Sequence, residues 1–215
     1  MNDRILKIIK ILKEEYKDHK FTKEFEKINK DPYKTLISTI LSQRTRDELT
    51  IAASHKLFEV ASTPKKIIKL DVYKIEELIK ESGFYNVKAR KIVELSKILV
   101  KDFNGKVPLE MDDLLKLPGV GRKTANIVLA YCYKKPVIAI DSHVHRISNR
   151  LGIIRTFNPY DTEMDLLAIV PEEYCNIFNT IIVRHGQEVC KPVSPVCSKC
   201  KISEYCDKVG LVRSR

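Results

Sequence analysis

The stretch Leu117-Pro118-Gly119-Val120-Gly121-Arg122-Lys123-Thr124-Ala125 joins a short segment with helical patterning to a longer one. Its two glycines, two positions apart, let the backbone turn tightly and bring amide N–H groups close to an anion. The helix that follows carries Ala125, Ile127, Val128 and Tyr131 as candidate core contacts. Its N-terminus adds a dipole that favours negative charge. A backbone phosphate is the ligand such a unit is built to hold.

This is the pattern of a helix-hairpin-helix motif, which grips DNA without reading its bases. Gly119, Gly121 and Arg122 are its candidate contacts. Lys123 has two readings, a further phosphate contact or an amine nucleophile. A nucleophilic amine must first shed its proton, and a helix N-terminus, the neighbouring Arg122 and desolvation by bound DNA all favour that. Further along comes Ile138-Ala139-Ile140-Asp141-Ser142-His143-Val144-His145-Arg146. Asp141 follows an apolar run and precedes a helical pattern, as an N-cap aspartate does. A carboxylate held near a lysine over a sugar could instead stabilise oxocarbenium character or assist proton transfer. His143 and His145 are either phosphate contacts or structural.

Outward from these stretches, the 215-residue chain reads as helices joined by short turns, an all-α class. Helices are predicted at about 3–17, 33–43, 46–60, 64–69, 73–80, 86–102, 110–116, 122–133, 142–151, 161–169 and 172–188. Pro32, Pro64, Gly83, Pro108, Pro136, Pro159 and Pro171 supply stops. Ile5, Ile8, Ile9, Leu12 and Tyr16 lie at helical spacing among lysines and glutamates, so the N-terminal stretch is expected to be an amphipathic helix and not a signal peptide. No run suggests a membrane span, and a cytoplasmic location is expected, nucleoid-associated in a prokaryote. The net charge of +11 suits a polyanionic partner, because each neutralised phosphate releases counterions, and equally a merely lysine-rich surface.

Four of the six cysteines, Cys190, Cys197, Cys200 and Cys206, crowd into the C-terminal region with the spacing C-x6-C-x2-C-x5-C. Thiolates so placed suit either zinc or an iron–sulfur centre. A single C-x2-C flanked by longer arms favours iron–sulfur, since zinc more often takes two such knuckles. Cys132 and Cys175 read as small core residues.

Taken together, these residues resemble endonuclease III, of the helix-hairpin-helix DNA glycosylase superfamily, over nearly the full chain. The matching stretches are Leu41-Ser42 with Thr45 and Asp47, Gly83-Phe84-Tyr85-Asn86, Leu117 to Ala125, Ile138 to Arg146, His185-Gly186, and the cysteine spacing. The resemblance implies two helical domains flanking a DNA-binding cleft. One is a six-helix domain over about 25–135; the other combines 1–24 with 136–215 and carries a 4Fe-4S cluster on the four cysteines. It further implies that Lys123 is the nucleophile, Asp141 its partner, Phe84 a wedge into the base stack, and Lys191 part of a basic loop between the first two cluster ligands.

The activity implied is removal of oxidised or otherwise damaged pyrimidines from double-stranded DNA, followed by β-elimination at the abasic site through a lysine Schiff base. The chain is expected to act as a monomer without a membrane partner. Relatives that remove a mismatched base without cutting the strand generally lack the lysine, so Lys123 counts against them. A non-catalytic DNA-binding module is disfavoured by the presence of both Lys123 and Asp141. The stretch Leu41-Ser42-Gln43-Arg44-Thr45-Arg46-Asp47 departs from the family pattern L-S-x-Q-x-x-D, because Arg44 stands where the glutamine would align. Either Gln43 takes that role, or Arg44 contacts the orphaned strand.

Overall fold

A computed structural model describes residues 2–28 and 30–215; Met1 and Asn29, and the side chains of Asn2, Phe21, Phe25 and Glu26, lie outside the description. Among the described residues the regular elements are all helical. The α-helices are α1 (Asn2–Tyr16), α2 (Lys20–Ile28), α3 (Pro32–Ser42), α4 (Asp47–Val60), α5 (Pro64–Ile67), α6 (Val72–Leu78), α7 (Tyr85–Asp102), α8 (Met111–Leu115), α9 (Arg122–Tyr133), α10 (Ser142–Leu151), α11 (Pro159–Ile169) and α12 (Glu172–Glu188). Short 3-10 turns follow at Cys197–Lys199 and Ser203–Tyr205. None of these helices is long and apolar enough to cross a membrane. Helix α2 is not among the predicted elements; its lysine-rich stretch nonetheless segregates apolar from charged residues at helical spacing. The apolar run Ile138–Ile140 is buried but forms no strand.

The chain divides into two compact units, one of Met1–Thr22 with Lys134–Arg215, the other of Lys23–Tyr133. In the second unit α3 is the centre, packed by α9, α4 and α7. Its burial explains its composition: Leu36, Ile37, Ile40 and Leu41 are fully enclosed, and the intervening Thr35 and Thr39 return their hydroxyls to backbone carbonyls one turn back. Asp31 caps α3 by accepting from the Lys34 amide, and Pro32 occupies the first turn, where a missing N–H costs nothing. Helix α7 lays Ala89, Ile92, Leu95 and Leu99 inward, and also, against the usual preference, Lys88.

In the first unit α12 packs against α1 and α10. The periodic residues of α1, Ile5, Ile8, Ile9, Leu12 and Tyr16, are all buried against Phe178, Ile181, Ile182, Val144 and Ile147. Each such aliphatic side chain contributes about 1.5–3 kcal/mol on removal from water. Arg4 fastens the start of α1 to the C-terminal segment, donating to the carbonyls of Leu151 and Tyr205 and pairing with Asp207 at 2.8 Å. Cys175 sits in this core; Cys132, in the other unit, is half-buried with its thiol 3.2 Å from Thr35 Oγ1.

Candidate functional site

The hairpin turn is set by Leu117, whose buried side chain anchors it and whose carbonyl accepts from the Val120 amide. Gly119 has φ +81°, and a Cβ there would come 3.2 Å from Lys91 Cδ, so both conformation and space require glycine. Gly121 differs. Its φ is ordinary and a Cβ would meet nothing within 4 Å, so its face is open. The Gly121 carbonyl accepts from the Ala125 amide, which starts α9. Lys123 is the second residue of α9, half-buried at this end, with Thr124 and Ala125 buried behind it. Arg122 is likewise half-buried.

Gln43 and Arg44 diverge although they are neighbours. Gln43 Nε2 donates to the Gly119 carbonyl at 3.1 Å, tying the end of α3 to the hairpin. Arg44, at φ 53°, turns toward Phe84, itself left-handed at φ 59°. The Arg44 guanidinium lies 5.7 Å from the Phe84 ring centroid. Phe84 is 62% exposed, so it is a surface aromatic and not a core one. A Cβ on Gly83 would fall 2.8 Å from the Arg44 carbonyl, so this close passage of two loops depends on glycine.

Beneath that crossing lies Lys88, which sequence reasoning missed. Its Nζ donates to the carbonyls of Leu41 (2.8 Å) and Gln43 (2.6 Å) and to the hydroxyls of Ser82 (2.9 Å) and Thr45 (3.1 Å). The available signal was its register, since Lys88 shares the inward stripe of Ile92, Leu95 and Leu99.

In the first unit, Asp141 caps α10: its Oδ1 accepts from the amides of His143 and Val144, each at 2.9 Å. Both bonds fall on one oxygen, so the cap leaves Oδ2 outside its own geometry. His143 packs on α12 at Gly186, where a Cβ would lie 2.3 Å from His143 Nδ1. Arg146 Nη2 donates to that same nitrogen at 3.3 Å. His145 Nδ1 lies 2.7 Å from Thr162 Oγ1, within the fold of this unit.

Cys190, Cys197, Cys200 and Cys206 line one pocket, walled by Ile147, Leu151, Val189 and Ile202. The 3-10 turn Cys197–Lys199 brings two of them together, and the turn Ser203–Tyr205 delivers the fourth. None of the six cysteines is in a disulfide. Among the described residues, no three His, Cys, Asp or Glu side chains form a group that could hold a single metal ion. Arg150, missed by the sequence reading, donates to Cys190 Sγ at 3.4 Å and to the carbonyls of Lys191 and Pro192. Arg146 donates to the Cys190 carbonyl. His185 stands 3.6 Å from Cys200 Sγ, and burial lowers its pKa to about 4, keeping the ring neutral. Burial pushes the Cys200 thiol up to about 11. Lys191 is exposed on the loop that Arg150 holds.

The sequence profile of the HhH-GPD superfamily of base excision DNA repair proteins matches residues 37–172. A curated relative named Endonuclease III from Thermotoga maritima is 52% identical over 177 residues, covering 82% of this chain and 83% of its own. Endonuclease III of Bacillus subtilis is 35% identical, covering 88% and 90%. Among solved structures, a trapped covalent intermediate of Endonuclease III with DNA superposes with a TM-score of 0.85 at 34% identity, covering 97% of this chain and 96% of that one. By the profile match and these identities, this chain belongs to the endonuclease III family of the HhH-GPD superfamily.

Proposed function

We propose that this enzyme, a base-excision DNA glycosylase and abasic-site lyase, removes damaged pyrimidines from duplex DNA with Lys123 as nucleophile and Asp141 as its carboxylate partner. The observation that carries this reading is the position of Lys123 in the first turn of α9, beside the open face of Gly121. A phosphate approaching Gly121 finds no side chain from elsewhere in the fold against that glycine, and the helix dipole favours it there. That contact would set the sugar–phosphate chain against Lys123.

The chemistry follows from the residue types. Extruding a damaged base costs less than extruding a well-paired one. Lys123 Nζ attacks the deoxyribose C1′, the glycosidic bond breaks with its electron pair passing to the base, and Asp141 offsets the developing positive charge on the sugar. One amine proton passes to the ring O4′ as the C1′–O4′ bond breaks, giving a protonated imine, which acidifies the C2′–H. Removal of that proton expels the 3′ oxygen as phosphate ester, cutting the strand. Hydrolysis then returns the lysine. Phe84 enters the stack vacated by the base, and Arg44, carried beside it, contacts the orphaned strand. Gln43 is occupied at Gly119, which supports giving this role to Arg44.

The cysteine pocket fits a 4Fe-4S cluster. Its donors are soft, its walls are apolar, and Arg150 aims an N–H at Cys190 Sγ, as suits an anionic sulfur centre. When bound, such a cluster clips the 190–206 segment together and steadies the Lys191–Val196 loop against DNA. The enzyme is proposed to act as a monomer.

The test is an oligonucleotide panel carrying thymine glycol, 8-oxoguanine, uracil and a G·T mismatch. Strand cleavage at thymine glycol is expected to dominate. Preferential removal of thymine from G·T without strand cleavage would overturn the reading.

A further inference from the structure

Lys88 reaches the Gln43–Thr45 loop with its side chain and the Phe84 loop with its backbone. Its Nζ donates to the carbonyls of Leu41 and Gln43 and to Thr45 Oγ1, while its amide donates to the Phe84 carbonyl at 3.1 Å. Thr45 Oγ1 also accepts from the Gly83 amide at 3.0 Å, and Ser82 Oγ donates to the Leu41 carbonyl, so both loops close on one nitrogen. Gln43 then passes the connection to the hairpin through Gly119. Lys88 is 4% exposed, and its burial lowers its pKa to about 8. Near neutral pH it is thus still mainly an ammonium, with three N–H donors for four acceptors.

A buried cation costs free energy unless it is fully hydrogen-bonded, and an apolar residue at this register would give a simpler core. A network of this kind suits fixing a geometry more than adding stability. The geometry it fixes is unusual, for Arg44 and Phe84 are both non-glycine residues in left-handed backbone conformations. The loops need an outside hold, and Lys88 gives one.

We propose that Lys88 is a positioning residue for base extrusion, binding the Gln43–Arg44 loop and the Phe84 loop to each other and to the hairpin so that they enter DNA as one rigid wedge. This rests on the functional reading above. It assigns Lys88 no contact with the reacting atoms. Lys88 matters where a base must be prised from a stack, and little where the sugar is already accessible.

The experiment compares two reactions of the full-length enzyme under single-turnover conditions. One is excision of thymine glycol from duplex DNA; the other is borohydride trapping on an abasic site in flexible single-stranded DNA. Lys88→Met keeps the stem and removes the donors. It should slow duplex excision by about 10- to 100-fold, the scale on which misplacement acts, and leave single-strand trapping near the wild-type rate. Thr45→Val, which removes one acceptor and spares the lysine, should show the same split more weakly and serves if Lys88→Met does not fold by circular dichroism. Equal loss of both reactions in a folded variant, or no loss of duplex excision, would overturn the proposal. Absence of both reactions in the wild type would overturn the functional reading and this inference with it.

Discussion

The guanidinium of Arg44 lies over the ring of Phe84, 5.7 Å from its centroid, and both residues hold left-handed backbone conformations on crossing loops. An exposed contact of this type adds only about 0.5–1 kcal/mol. Its worth is directional, since it presents a cation and an aromatic face side by side. Phe84→Ala should therefore shift stability by about 1 kcal/mol or less. It should also slow excision from duplex by about 10- to 100-fold, matching the 1–3 kcal/mol of base–aromatic stacking. Arg44→Ala should change opposite-base preference more than rate. Thermal unfolding and single-turnover excision opposite each base check both; an unchanged rate in Phe84→Ala would remove the wedge from the account.

The two hairpin glycines should separate structure from binding. Gly119→Ala places a Cβ at φ +81° and against Lys91, and is expected to cost about 1–2 kcal/mol. Gly121→Ala meets open space at an ordinary φ and should fold within about 0.5 kcal/mol of wild type. If a phosphate comes up to Gly121, that methyl group must weaken DNA binding. Denaturant unfolding and fluorescence anisotropy on duplex DNA read the two effects; normal binding by Gly121→Ala would place the phosphate elsewhere.

Asp141 carries a cap and is proposed to carry chemistry, and two substitutions divide these. Asparagine caps as well as aspartate, so Asp141→Asn should leave stability within about 0.5 kcal/mol and abolish excision. Asp141→Ala should lose about 1 kcal/mol of stability as well. Gross unfolding of Asp141→Asn, or excision that survives it, would leave the carboxylate a capping role alone.

The cysteine pocket predicts about four iron and four sulfide per chain in natively purified protein. Cys206→Ser should lower that content, and loosen the 190–206 segment in hydrogen exchange. Stoichiometric zinc in active protein would contradict the cluster assignment.

What could be read from the sequence depended on whether local rules fixed it. The apolar period of Ile5, Ile8, Ile9, Leu12 and Tyr16 places α1, because a stripe at helical spacing can satisfy only one packing. The Gly119–Gly121 turn is legible because a left-handed φ calls for glycine. Asp141 shows as a cap, since capping is a local hydrogen bond. Lys88 escapes because lysine ordinarily faces water, and its four acceptors come from segments well separated from it in sequence or fixed only by the fold. The left-handed turns at Arg44 and Phe84 escape for the same reason, as non-glycine residues take that conformation only when tertiary contacts impose it.

The central claim is that Lys123 is the nucleophile, and borohydride reduction on DNA containing an abasic site tests it most directly. The wild type should yield a covalent protein–DNA adduct that maps by peptide mass analysis to Lys123. Lys123→Ala should yield none while still binding the same duplex. An adduct that persists in Lys123→Ala, or that maps to another residue, would contradict the account.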